Sequence, residues 1–259
     1  MNFLLALMAL FTSTNMLEHK YESITVDDGL SNMIVRCTSQ DNNGVLWFAT
    51  NSGIQSFDGT NFTDYHIQGM KGASSSDNRF QQIVTNKRGQ LFSINRSNVF
   101  EYNRLFDRFE AVFSFREDSV HTGIINLINI LEKDRLFIST NHGLYISSSS
   151  SELPYKYLPI GDCNGAATYD NSIFVATSNG IIELKTYAGE YKPTTKHRFT
   201  SLGNASVRFI HADRHGNIWL QQKGSGIIFF DAKGKKIVPE WNSVLANKPI
   251  RAITEYDGL

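Results

Sequence analysis

The chain has 259 residues, with 25 Lys plus Arg against 25 Asp plus Glu, so its formal net charge is zero. With no basic excess to neutralise a phosphate backbone, nucleic acid is not expected as a partner of this region. Hydrophobic residues make up 41% of the sequence, enough for a packed core, and 18 Phe against 5 Pro favour strands.

The first segment of note is the apolar run Phe3 to Phe11, too short to span a bilayer but of the length of a secretory signal core. Residues 1–15 are read as a signal peptide, implying export to the periplasm; a buried first strand or helix is the alternative. No later stretch has the length and apolarity of a membrane span. Cys37 and Cys163 are the only cysteines, and they fall at similar places in different repeats. Neighbouring repeats would hold them apart, so both are expected to be buried and free.

An internal period organises the rest. Leu46–Thr50, Leu91–Asn95, Leu136–Thr140, Ile173–Thr177 and Ile218–Gln222 align, each with an aromatic second: Trp47, Phe92, Phe137, Phe174 and Trp219. The aromatic advances by 45, 45, 37 and 45 residues, so a single insertion or deletion accounts for the odd step. Before each aromatic segment runs an apolar alternating strand, such as Ile34–Thr38, Phe80–Val84 or Val207–Ile210. Polar turns follow, including Asp41-Asn42-Asn43-Gly44, Asn86-Lys87-Arg88-Gly89 and Asp213-Arg214-His215-Gly216, in which Gly is expected at positive φ. After the aromatic strand, Gly53, Gly143, Gly180 or Gly226 opens a third strand, and Asn98 stands in once as a residue tolerant of left-handed geometry. A more polar fourth strand closes the unit, as in Phe62–Ile67 and Arg108–Phe113.

Four short antiparallel strands per roughly 40 to 50 residues is the spacing of a β-propeller blade. The predicted fold is all-β, with five complete blades at about 33–67, 79–113, 124–158, 165–199 and 206–240 and a truncated sixth at 249–259. The five aromatics are expected between blades, as apolar plugs. Pro249 to Leu259 repeats a first strand and its turn, and Tyr21–Thr25 reads as an outer strand of the kind that completes a last blade. The expectation is therefore an incomplete ring, from a fragment of a longer product or an interrupted gene.

Searches for catalytic constellations give little. His211 and His215 flank a predicted turn with no helix to align them, so no metal site is assigned. The Asp41 and Asp213 turns lack the remaining ligands of a calcium loop, and Gly224-Ser225-Gly226 precedes a strand, not a helix. No catalytic residue and no cofactor is assigned. Ligand contacts in a propeller come from loops at one mouth of the channel, here those leading into strand one and those joining strands two and three. By position the candidates are Arg36, Arg208 and Arg251 in the first set, and Asn51, Arg96, Asn141, His142, Asn179 and Lys223 in the second. Arg and Asn suit sugar hydroxyls or carboxylates through forked hydrogen bonds. Solvation of the mouth, or ties between neighbouring blades, is the plainer role for any one of them.

The run Asp28-Gly29-Leu30-Ser31-Asn32, then Asp41, Gly44, Leu46-Trp47-Phe48-Ala49-Thr50, Gly53-Ile54, Phe57-Asp58-Gly59 and Phe62, resembles the first blade of two-component regulator propeller proteins. The later repeats match in pattern only, since Phe replaces Trp in three of them. The resemblance implies the exported sensor region of a hybrid histidine kinase, responding to an oligosaccharide and signalling through a homodimer. No kinase ATP site, receiver domain or DNA-binding module is recognised in the sequence, so the region is expected to bind and transmit, not to catalyse. A propeller-fold polysaccharide lyase or lactonase and a protein-binding scaffold are the alternatives.

Overall fold

The computed structural model describes residues 23–67, 78–115, 123–131, 134–147, 155–187, 190–194, 199–222, 226–245, 248, 250 and 253. They form five separate four-stranded antiparallel sheets, each built in chain order. Blade 1 contains β1 (Val35–Gln40), β2 (Leu46–Thr50), β3 (Ile54–Phe57) and β4 (Phe62–Tyr65). Blade 2 contains β5 (Gln82–Thr85), β6 (Leu91–Ile94), β7 (Asn98–Asn103) and β8 (Arg108–Ser114). Blade 3 contains β9 (Ile125–Leu131), β10 (Arg135–Thr140), β11 (Leu144–Ile146) and β12 (Lys156–Leu158). Blade 4 contains β13 (Cys163–Tyr169), β14 (Ser172–Thr177), β15 (Gly180–Tyr187) and β16 (Glu190–Pro193). Blade 5 contains β17 (Val207–Ala212), β18 (Ile218–Gln222), β19 (Gly226–Phe230) and β20 (Lys236–Ile237), followed by the short helix α1 (Asn242–Leu245). The first strands lie side by side in the order β1, β5, β9, β13, β17, so the sheets radiate from a shared inner edge.

Rings wedge the blades together. Trp47 on β2 packs against Tyr102 and Phe109 of blade 2, with ring centroids 4.9 and 5.9 Å away. Phe92 is buried among Phe115 of its own blade and Ile125, Ile128 and Leu136 of blade 3. Phe137 is buried against Cys163, Ala166 and Ile173 of blade 4, and Phe174 against Val207, Ile210 and Phe230 of blade 5. Each such burial contributes about 1.5–3 kcal/mol. Trp219 differs: it is half-buried and stacked on Phe229 at 4.3 Å within its own blade.

The turn acid six residues before a tryptophan has a second task. Asp41 accepts from the backbone N–H groups of Asn43 and Val45, from the Trp47 indole N–H at 3.3 Å and from the Arg104 guanidinium of blade 2 at 3.1 Å. Asp213 likewise accepts from the N–H groups of His215 and Asn217, and from the Trp219 indole at 2.8 Å. In blade 2 the turn residue is Asn86, which accepts from Arg88 and Gln90 backbone N–H groups, and the ring is Phe92 with no N–H to satisfy.

Amide side chains stitch the inner strands. Gln82 forms a two-way bond with the Ile128 backbone of blade 3, accepting its N–H at 2.8 Å and donating to its carbonyl at 2.9 Å. Asn129 accepts from the Ala166 N–H of blade 4, and Gln221 holds the Lys248 carbonyl and the Ile250 N–H beyond blade 5. The two cysteines are free: Cys163 is buried, and burial pushes its thiol up to about 12, whereas Cys37 is only half-buried. The expectation that both are buried is corrected for Cys37, whose thiol lies in the seam facing the Ile83 carbonyl of blade 2.

Three local expectations also change. Asn98 does not adopt positive φ; it is buried in the loop, with its N–H donated to Asn95 Oδ1. Gly143 is required for another reason, since a Cβ there would lie 2.3 Å from the Leu158 carbonyl oxygen. Ser23 to Thr25 form no strand, and a 3-10 turn Val26–Asp28 follows them; Tyr21 and Glu22 lie outside the described residues, as do the signal segment and nearly all of the sixth repeat.

Three outcomes are expected. Asp41→Ala should cost about 2–4 kcal/mol in denaturant unfolding, because it strands a buried indole N–H and turn donors. In a double-mutant cycle, Trp47→Phe should be less costly in an Asp41→Asn background than in the parent, since that pair reproduces the Asn86/Phe92 arrangement. Burial opposes ionisation of Asp41 and Asp213, yet their summed hydrogen bonds outweigh it and hold both carboxyls below the usual range. A depressed folded-state value contributes stability that is full above the ordinary carboxylate value of about 4 and is lost as pH falls through the folded value, so Asp213→Asn should lower stability at neutral pH and flatten its decline in acid.

Candidate functional site

The predicted mouth is where strand one begins and strands two and three connect, and the two loop sets do meet there. Arg36 donates its Nε–H to Asn51 Oδ1 at 3.1 Å. Asn141 accepts the Ile124 N–H on its side chain at 2.7 Å and returns its own N–H to the Ile124 carbonyl. The Arg96 carbonyl accepts the Ile125 N–H at 2.9 Å, linking blade 2 to blade 3.

Strand one carries a register shift near its start in blades 1, 3, 4 and 5, and the extra residue is Arg36, Asn126, Asn164 and Arg208 in turn. An extra residue at a bulge is unpaired and its side chain is re-aimed. Where it is asparagine, it joins blades: Asn126 donates to the Cys163 carbonyl at 2.7 Å, and Asn164 donates to the Val207 carbonyl at 2.8 Å. Those two carbonyls occupy the same place in successive blades, one residue before the next bulge. Where it is arginine, the side chain is exposed at the mouth, as in Arg36 and Arg208. A short amide reaches the neighbouring backbone; a guanidinium on a longer stem stays in water and keeps donors free for a carboxylate or hydroxyl.

The loops between strands two and three are closed by their own residues. The hydroxyls of Thr50, Thr140 and Thr177 donate to the carbonyls of Gly53, Gly143 and Gly180 at 3.0, 2.8 and 2.9 Å, and accept the N–H groups of Ser52, His142 and Asn179. Asn95 replaces the threonine in blade 2, accepting from Ser97 and Asn98. This Thr-x-x-Gly pattern recurs at the end of the aromatic strand in blades 1, 3 and 4, and it braces those loops internally.

Of the predicted contacts, Arg36, Arg96, His142, Asn179 and Arg208 present exposed side chains. Asn51 and Asn141 are half-buried, Asn51 holding Arg36 and Asn141 tying its loop to strand one. Lys223 and Arg251 lie outside the described residues. Among the described residues no three His, Cys, Asp or Glu side chains converge as a metal site, and no helix is long and apolar enough to cross a membrane. A feature that sequence reasoning missed lies at the other end of the inner strands, where a cavity of about 510 Å³ opens between blades 2, 3 and 4.

Comparison with known proteins agrees with this architecture. The profile described as "Two component regulator propeller" matches residues 29–52, the stretch running from the 3-10 turn through β1 and β2. No curated protein matches the chain. The extracellular domain of a putative hybrid two-component system from B. thetaiotaomicron is 25% identical, with a TM-score of 0.63 over 82% of this chain and 30% of that one. A second such domain from B. thetaiotaomicron is 22% identical, with a TM-score of 0.56 over 78% of this chain and 27% of that one. The chain thus spans about a third of the length of these sensor domains. A putative gluconolactonase is 12% identical with a TM-score of 0.53, covering 80% and 78%, a likeness of fold alone. The matching first repeat, the radial four-stranded sheets and the likeness to sensor ectodomains make the chain a propeller that is similar, in its first repeat, to the two-component regulator propellers.

Proposed function

We propose that this chain is an extracytoplasmic sensing propeller of a two-component system, which recognises an oligosaccharide and signals by altering its packing against a second copy of itself. The carrying observation is the family repeat at residues 29–52, which covers the first two strands of blade 1 in a structure resembling hybrid two-component ectodomains. The mouth chemistry supports binding over turnover. Arg36 and Arg208 are exposed there, and the Asp162 carboxylate at the start of blade 4 is engaged, accepting from Asn126 and from the Ser178 hydroxyl. A fixed rim with free guanidinium donors suits recognition of hydroxyl and carboxylate groups. Export to the periplasm follows from the same reading.

A glycan panel screened by thermal unfolding tests it. A ligand at 100 times its dissociation constant should add about 2.7 kcal/mol of stability, and Arg36→Ala with Arg208→Ala should remove the gain. Absence of a shift with every glycan would count against carbohydrate recognition, and release of reducing ends or opened lactone would favour a propeller enzyme instead.

A further inference from the structure

The cavity of about 510 Å³ lies at the end of the inner strands remote from Arg36, where strand one turns into strand two. Its volume falls within the range of small-molecule sites, roughly 300–1,000 Å³. Its apolar lining comes from Ile130 and Leu131 at the end of β9, which pack into the seams on either side of blade 3. The facing groups are polar: Lys87 from the blade 2 turn, Asp134 from the blade 3 turn and Thr168 from β13.

Not all of the lining is available to a ligand. The Asn86 carboxamide is occupied, its oxygen accepting from Arg88 and Gln90 and its nitrogen donating to the Gln90 side chain, and the Thr85 hydroxyl pairs with Ser39 at 3.0 Å. Asp134 receives the Arg88 guanidinium at 2.8 Å through one oxygen, Oδ2. That pairing neutralises the carboxylate and leaves acceptor capacity on its other oxygen. The groups left for a ligand are a flexible ammonium donor, a charge-compensated acceptor and a hydroxyl that does both, beside the aliphatic side chains of Ile130 and Leu131. A pyranose ring offers the complement, with hydroxyls around its edge and C–H groups on its face, and it brings no charge that the Arg88–Asp134 pair would have to meet.

We propose that this cavity binds a neutral sugar of one or two rings, distinct from the mouth that carries Arg36 and Arg208. The proposal rests on the carbohydrate-sensing reading and assigns it a second location. Calorimetric titration of the full chain with cellobiose, lactose and maltose tests it. At least one of them should bind, and binding should weaken by about tenfold or more when Thr168→Phe fills the space or Lys87→Ala removes the donor. Lys87 is an exposed turn residue, so its variant keeps the test valid if the Phe variant fails to fold. Binding unchanged in both variants but lost in Arg36→Ala would overturn this location while leaving the sensing function intact. So would the absence of any binding by the three sugars together with a thermal shift from a longer glycan. Absence of both would bring down the cavity and the carbohydrate reading together.

Discussion

A four-stranded sheet of this size has two apolar faces and cannot cover either by itself, so each blade depends on a bulky ring from its neighbour's side. In this chain the ring is the second or third residue of strand two, and four of the five are buried: Trp47, Phe92, Phe137 and Phe174. Everything else is arranged around keeping those rings in register. The Asp41 turn fixes the indole of Trp47 and at the same time receives Arg104 from the next blade, so one carboxylate controls a hairpin, a ring orientation and a seam. Blade 2, which carries Phe92, replaces the carboxylate with Asn86, and there is no indole N–H to orient.

The inner edge follows a different rule. There the seams are polar, and side-chain amides borrow the backbone groups of the adjacent strand, as Gln82 does at Ile128 and Asn164 at Val207. Bonds of this kind fix the angular and vertical offset of one blade relative to the next, which apolar packing alone leaves loose. The bulge position then becomes a choice between two functions. Asparagine spends its side chain on the seam, whereas arginine releases it to the mouth, and the distribution of Arg36, Asn126, Asn164 and Arg208 divides the rim into a structural sector and a presenting one.

Much of the architecture was legible because the signals are local. Period-2 alternation and Gly-bearing turns located strands two almost to the residue, as in Leu46–Thr50 and Ile218–Gln222. Turns without glycine were harder. Blade 3 uses Asp134 and blade 4 uses Asp170 with Asn171 in left-handed geometry, and a two-residue hairpin of that type shortens the fourth repeat. The role of Gly143 could not be read either, because it depends on where the Leu158 carbonyl of another strand arrives. Topology brings the two loop sets together, but that Asn141 braces Ile124 depends on a few ångströms between distant segments. The lower cavity is assembled from the ends of three blades and has no sequence signature at all.

The rings that hold the blades also give the molecule optical labels. The chain has three tryptophans, and they occupy three environments: Trp47 sealed between blades 1 and 2, Trp219 half-covered and stacked on Phe229, and Trp241 about half exposed just before α1. Emission from the first reports the seam between blades 1 and 2, while that from the other two reports the surface of blade 5, so a single fluorescence spectrum distinguishes loosening at one end of the array from changes at the other.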